Sequence, residues 1–415
     1  MRIVSSQNAR GVARLLRPST GNDRRTAAAA ARIVAAVRAR GDAALLSYAR
    51  RFDRLDGDLE VSRDEIEEQA DRVPPRVRRA IAAAARNIEV VARRQRPRGF
   101  TVRPAAGVTV EQRVTPLDRV GCYVPGGRYP LPSSLLMTAI PARAAGVPDI
   151  VVACPRPTPV VMAAAREAGV TRLFRMGGAQ AIAALAYGTK TVPRVDKIVG
   201  PGNQYVSAAK AMVATECAID FYAGPTEIVI VSDKGNPEWI AADLIAQAEH
   251  DPQARAVLIT TSRRLALKVA RAVASRVPAA GPARESLSRH GGIIVASSRD
   301  EAARLANEAA AEHLVCDDDR FAASVRSAGA IFVGQYTAQV AGDYAIGSNH
   351  VLPTSGAARF RGGLHASDFV RVSTVQRMTK QGLEQLAPTV TTLAREEGLE
   401  AHARSIEVRL ARGRR

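Results

Sequence analysis

From Val120 onward the chain alternates short apolar, β-branched runs with turn residues and alanine-rich stretches, and that rhythm restricts its fold more than any other feature. The succession reads DIVVAC, PVVMAAAREAG, RLFRMGG, AQAIAALAYG, DKIVGPG and NQYVSAAKAMVA. Runs this short fit strands, and the alanine-rich segments between them fit covering helices. Together they give the βαβ pattern of a parallel sheet. A second series follows: EIVIVSD, a helix from Pro237 to His250, AVLITTS, a helix from Arg263, GGIIVASS, a helix from Asp300 to about Glu312, and AGAIFVG. Two series predict two parallel-sheet domains. Asn236 before Pro237 reads as an N-cap ahead of a first-turn proline, and Ser298 with Glu301 reads as a capping box.

A chain of 415 residues is long enough for one or two substantial cores. The opening from Asn22 to Arg96 is mostly helical, with TAAAAARIVAAVRAR and VRRAIAAAARNIEVVARR as its clearest stretches. After Val340 an irregular segment, GDYAIGSNHVLPTSG, leads into a helical tail that ends near Arg409. Hydrophobic residues at 47% and charged residues at 24% are the proportions of a globular protein, which excludes disorder for most of the length. Runs such as Ile150–Cys154 and Ile228–Val231 fall far short of the ~18 residues that cross a bilayer. The opening MRIVSSQNARGVARLL carries arginines where a secretory signal needs an apolar stretch, so the chain reads as cytoplasmic, with no membrane partner.

Lys+Arg 59 against Asp+Glu 40 gives a net charge of +19, which would signal a nucleic-acid partner if it were concentrated. It is scattered instead, as at Arg24, Arg38, Arg175, Arg263 and Arg377, and the tightest cluster, Arg409 to Arg415, sits at the terminus. Aromatics are only 4%, too few for a stacking platform, so no specific nucleic-acid site is expected. Cys122, Cys154, Cys217 and Cys316 stand tens of residues apart without a Cys-x-x-Cys pair, and read as free, buried thiols.

All six histidines lie in the second half of the chain, which points to where its chemistry lies. In DLIAQAEHD, Gln247 and His250 are three apart and share a helix face, the geometry by which a helix offers two ligand atoms to one metal; a solvated helix end is the bland alternative. Glu312 and His313 stand side by side where a helix turns into a strand. They supply two proton-transfer groups of different reference acidity, although adjacent Glu-His pairs are common by chance. Asp343 and His350 fall in an apparent loop, where polar residues are more often functional than structural. The turns GGAQ and GPGN each join a strand to a helix and can present backbone amides to an anion. The dinucleotide fingerprint is incomplete, because Tyr205 stands at its third glycine position.

The segments GCYVPGGRYPLPSS, GGAQAIAALAYGT, VDKIVGPGNQYV, AGPTEIVIVSD, ADLIAQAEHDP, EHLV, GDYAIGSNHVLPT and EGLEAHARSIEVR, in this order, closely resemble the histidinol dehydrogenase family from about Arg24 to Arg409. The resemblance implies an NAD-dependent oxidoreductase that takes L-histidinol to L-histidine through the aldehyde, at the last step of histidine biosynthesis. It also implies a zinc (Zn2+) cofactor and a homodimer whose active site is shared between subunits. The zinc ligands it implies are Gln247, His250, Asp343 and His402, the last reaching in from the second subunit. The catalytic residues it implies are Glu312 and His313. Thr226 and Glu397 match substrate contacts beside the metal set and His313, with His350 as an additional contact, and Tyr123, Gln180 and Asn203 match NAD contacts.

Two departures stand out. Thr226 occupies a position where many relatives have serine, keeping the hydroxyl and adding a methyl, and RFRGGLHASDFVRVSTVQRMTK differs from the forms found in some members. The open alternative is a dehydrogenase with the same zinc, Glu-His and NAD parts acting on another polar alcohol, such as a sulfonated diol. The expected architecture is α/β: two Rossmann-like parallel-sheet domains, a helical N-terminal segment and a small C-terminal helical tail, in a dimer. Its expected division is an arm at 1–21, a first domain at 22–120 plus 228–370 with most of the metal site, a second domain at 121–227 with the NAD contacts, and a tail at 371–415 that reaches the partner.

Overall fold

Every residue of the strand Glu227–Val231 is buried, as is every residue of its neighbour Arg255–Thr260. Strands covered on both faces are mostly apolar, which is why IVIV and AVLI read as runs and not as alternations, with Glu227 and Arg255 as charged first residues. The structure, a computed structural model, describes residues 1–17, 24–126, 129–222 and 224–411. By contact the chain divides into one unit of Met1–Gln95 with Asp118–Phe369 and another of Arg96–Leu117 with Val370–Arg415.

The first unit holds two six-stranded sheets, as the two sequence series predict. One runs in the order Arg2–Ser5, Gly292–Val295, Arg255–Thr260, Glu227–Val231, His313–Cys316, Ala330–Val333, parallel throughout. Its two faces carry separate cores. Val229, Val257 and Leu314 pack with Val4, Val12 and Leu305, while Ile228, Ile230 and Leu258 pack with Leu244, Val269 and Ile293. That split follows from successive strand side chains pointing to opposite faces.

The other sheet runs Glu60–Val61, Arg172–Phe174, Asp149–Ala153, Arg119–Tyr123, Lys197–Val199, Ala218–Ile219, parallel except for its antiparallel edge strand Glu60–Val61. The helical opening belongs to this sheet. Helix Arg24–Arg40 packs on Gly178–Tyr187 and Gln204–Val213, and Pro75–Gln95 packs on Pro132–Ala145. Ala30, Val34, Val37 and Leu45 share a core with Phe174, Ile182 and Ile198.

This corrects the expected division. Residues 24–95 were expected with 228–370 but pack with the sheet at 119–219 and the helices that cover it. The expected arm at 1–21 is an integral part of the fold over its described residues. Arg2–Ser5 pairs in parallel with Gly292–Val295, and Val12, Leu15 and Leu16 enter the core; residues 18–21 lie outside the described range. The expected tail is not wholly helical either. Val370–Met378 pairs antiparallel with Val108–Pro116, which pairs with Phe100–Ala105, and helices Lys380–Glu396 and Glu400–Leu410 follow in the same unit.

The caps behave as expected in one case and differ in detail in the other. Asn236 Oδ1 accepts from Glu238 N at 2.9 Å ahead of helix Pro237–Ala248. Ser298 Oγ accepts from Glu301 N at 3.1 Å, but the Glu301 carboxylate reaches one residue further back than a capping box requires, to Ser297 N at 2.7 Å. The four cysteines are free and buried. Among the described residues no helix is long and apolar enough to cross a membrane.

Candidate active site

Helix Arg299–Ala309 ends at Ala310 in the left-handed region (φ 44°), and the chain then enters the strand His313–Cys316. The helix therefore stops short of Glu312. In the ladder His313 stands opposite Ile228, which puts Glu312 and His313 beside the peptide units of Glu227. Glu227 N donates to Glu312 Oε2 at 2.8 Å, and His313 Nδ1 donates to Glu227 O at 3.1 Å. A carbonyl can only accept, so Nδ1 carries the proton and Nε2 has a free lone pair. That Nε2 is buried without a hydrogen-bond partner, 3.8 Å from Asp343 Oδ1. Both residues stand at the amino ends of parallel strands, whereas doubly wound sheets usually hold ligands at the carboxyl ends.

Thr226 and Gln247 extend the cluster. Gln247 Nε2 donates to Thr226 Oγ1, so the Thr226 hydroxyl spends its proton on Glu312 Oε2. The direction of this relay leaves Gln247 Oε1 buried with no partner. Gln247 is near the end of helix Pro237–Ala248, but His250 lies past that end and is exposed. The two are therefore joined by a last-turn contact (His250 N to Gln247 O, 3.4 Å) and not by a continuous helix face.

Asp343 was expected in a loop and lies in the short helix Gln339–Tyr344, where Gln339 Nε2 donates to its Oδ2 at 2.9 Å. His350 does lie in a loop, Nδ1 on Asp343 O at 2.9 Å and Nε2 at 3.4 Å from Ser134 Oγ. Ser134 opens the helix that follows the carboxyl end of strand Arg119–Tyr123, so His350 joins elements of both sheets. Ser134, Gln339 and Glu227 were not singled out from the sequence. Ser134 and Glu227 act through partners distant in sequence, His350 and the Glu312–His313 pair, while Gln339 acts through Asp343 one helical turn on.

Burial sets the electrostatics. It pushes the Glu312 carboxyl up to about 8, against the hydrogen bonds from Thr226 and Glu227 N that favour the anion. It pushes the His313 imidazole down to about 4, against the pull of Asp343 and the Glu227 carbonyl. His350 is likewise held near 4 by burial. Asp343 is raised by burial, opposed by His313 and His250. Near pH 7 the site thus presents a neutral imidazole and a carboxyl group that burial holds largely protonated, two groups whose acidities lie on opposite sides of neutrality.

As a metal site the cluster offers mixed oxygen and nitrogen donors: the orphaned Gln247 Oε1, the Asp343 carboxylate and His250, which is in electrostatic reach of Asp343. Among the described residues no three His, Cys, Asp or Glu side chains are grouped to hold an ion, so an amide oxygen is needed to reach three donors in one chain. Glu397 and His402 belong to the second unit, the first at the end of helix Lys380–Glu396 and the second in the first turn of Glu400–Leu410, both exposed.

The residues matched to NAD contacts surround the other sheet. Tyr123 ends its strand at the point where the strand order reverses, and GPGN follows the adjacent strand Lys197–Val199. Tyr123 Oη accepts from Gly178 N at 3.1 Å, Gln180 Nε2 donates to buried Asp53 at 3.0 Å, and Asn203 caps helix Gln204–Val213. Gly200 (φ 116°) lies so close to Tyr123 that a Cβ would come 2.1 Å from its carbonyl oxygen. Its N–H and carbonyl are gripped by the buried Asp220–Lys210 pair at 2.7 and 2.6 Å. A separate cavity of about 980 Å³, lined by Arg50, Asp58, Ser62, Arg166 and Thr191 among others, includes none of these groups.

The model of the histidinol dehydrogenase family matches residues 16–410. Histidinol dehydrogenase of Methanothermobacter thermautotrophicus is 48% identical over 392 residues, covering 91% of this chain and 92% of that protein. That of Dechloromonas aromatica is 46% identical over 394 residues, 91% of each. A crystal structure of histidinol dehydrogenase from Elizabethkingia anophelis superimposes with a TM-score of 0.93 at 32% identity, covering 99% of this chain and 98% of that one.

Proposed function

This chain belongs to the histidinol dehydrogenase family, and on that premise we propose that it oxidises L-histidinol to L-histidine with Glu312 and His313 as its proton-transfer groups. The observation that carries the assignment is the bare, buried Nε2 of a neutral His313 beside a carboxyl group raised to about 8.

His313 Nε2 takes the hydroxyl proton as the carbinol carbon loses hydride. Its Nδ1–H stays on the Glu227 carbonyl, so the ring neither turns nor changes tautomer before it accepts. Glu312, with Oε2 held by Thr226 and Glu227 N, uses its other oxygen to take a proton from the water that adds to the aldehyde carbon. Once the imidazolium has released the first proton from Nε2 to solvent, His313 removes the proton of the hydrate as the second hydride leaves. Tyr123, Gln180 and Asn203 would hold NAD, which would supply the hydride acceptor for both oxidations. Gln247 Oε1, His250, Asp343 and the partner subunit's His402 would hold zinc, which would supply Lewis-acid anchoring of the substrate nitrogens. Thr226 contributes by orienting Gln247 and Glu312, and Glu397 contacts the substrate.

The protein works as a homodimer with sites built across subunits. In the second unit Phe100, Val102, Val372, Met378, Leu393 and Val408 leave apolar surface exposed, which supports a covering partner. Its place of work is the cytoplasm, where four free thiols stay reduced.

The test is stoichiometry: purified protein with zinc, NAD and L-histidinol should form two NADH per substrate consumed. A panel of polar alcohols that includes a sulfonated diol runs alongside. Turnover of another alcohol in preference to histidinol would replace this substrate and leave the Glu-His roles standing.

A further inference from the structure

Glu227 opens a strand that is otherwise EIVIV in character, and its carboxylate, like the whole residue, is out of water (2% exposed). Its ladder partner on the adjacent strand is Arg255, also buried at 6%. Arg255 Nη2 approaches Glu227 Oε2 at 2.8 Å, Arg255 Nη1 donates to Leu16 O, and Ser355 N donates to Glu227 Oε1 at 3.2 Å. The side chain of Glu227 is thus held by charge on the Arg255 side, where neither Oε2 nor Nη2 is in hydrogen-bonding geometry, and by a hydrogen bond on the Ser355 side. Its backbone is what serves the site: the N–H holds Glu312 and the carbonyl holds His313.

A buried ion pair is a poor device for stability alone, because taking both charges from water offsets their attraction, and apolar pairs of similar volume are often no less stable. It is a better device for fixing position, since the attraction of the two charges, with the flanking bonds of Arg255 Nη1 to Leu16 O and Ser355 N to Glu227 Oε1, admits fewer arrangements than apolar packing. Resting on the proton-transfer roles given above to Glu312 and His313, we infer that Glu227 and Arg255 are positioning residues. By anchoring one peptide segment they hold both groups in line with the substrate. Neither touches the substrate.

This placement makes a specific demand. Loosening the pair should spoil proton removal without altering the groups proposed to bind substrate and metal, none of which is on this ion pair. The variants are Glu227→Gln, Arg255→Lys and the matched apolar double Glu227→Met with Arg255→Met, each measured per bound zinc with histidinol and, separately, with histidinal. A displaced base costs up to about 100-fold in rate, so kcat should fall about 10- to 100-fold. KM should hold within about twofold, and the solvent isotope effect on kcat should rise as proton transfer becomes limiting. The double variant separates positioning from folding, because it removes the pair without leaving a lone buried charge. A folded, zinc-loaded double or Arg255→Lys variant with parental kcat and isotope effect overturns the inference. So does a fall in rate that tracks only lost folded protein. A parent inert toward histidinol, or a fully active His313→Gln variant, would instead overturn the assignment on which the inference rests.

Discussion

The amide of Gln247 donates to the hydroxyl of Thr226, and that bond turns the Gln247 carbonyl oxygen into a buried acceptor with nothing to accept from. An unpaired buried oxygen is costly unless a cation takes it up. One threonine therefore links the proposed acid-base pair to a proposed metal donor: its oxygen sets Gln247, and its proton goes to Glu312.

Thr226→Val should uncouple the two. It keeps shape and loses the hydroxyl, so Gln247 can rotate and Glu312 loses a hydrogen bond worth about 1.5–3 kcal/mol, or roughly 10- to 100-fold in kcat/KM. Zinc retention during dialysis should weaken in parallel, and Thr226→Ser should restore both. Parental kinetics and zinc content in Thr226→Val would show that the relay has no role.

Glu312→Gln keeps the hydrogen-bond acceptor but cannot take a proton. Oxidation of histidinal should then slow by about 100-fold or more, while the first oxidation suffers less because His313 keeps its place. Rapid-quench analysis should find aldehyde accumulating. Equal impairment of both oxidations would assign Glu312 to orientation instead of water activation.

Asp343→Asn and His402→Asn should each be inactive and poor in zinc. If the site takes His402 from the second subunit, refolding the two together leaves one intact site in each mixed dimer, so about a quarter of parental activity should return. No recovery, with exchange of subunits verified by mass spectrometry, would mean that one chain supplies every ligand.

Asp243, on helix Pro237–Ala248, is pushed up to about 6 by burial. Its folded form therefore holds a proton that the unfolded chain releases near 3.8. Stability from this residue is full below that pH, declines as pH rises to about 6, and is flat above. Asp243→Asn should match the parent at pH 3.5 and exceed it at pH 7 by about 1–2 kcal/mol, after allowance for partial exposure. Urea titrations at the two pH values measure the difference; a variant that gains equally at both would place the effect outside ionisation.

The order of strands and helices follows from the sequence because hydrophobic periodicity is local: EIVIV or DIVVAC can be buried on both faces in few other ways. Family and activity are legible too, since long motifs such as ADLIAQAEHDP survive as blocks. What the helices at 24–95 cover is decided by which apolar faces fit, and they pack on the sheet at 119–219 and its covering helices and not on the strands at 228–333. The same holds within the site. Glu227 looks like the first residue of a hydrophobic strand until the ladder sets it beside Arg255 and Glu312–His313. The sequence carries Thr226, Gln247 and Asp343 as matching letters. Only the folded chain orients their hydrogen bonds, because a proton's direction depends on partners scores of residues away and on the water excluded from between them.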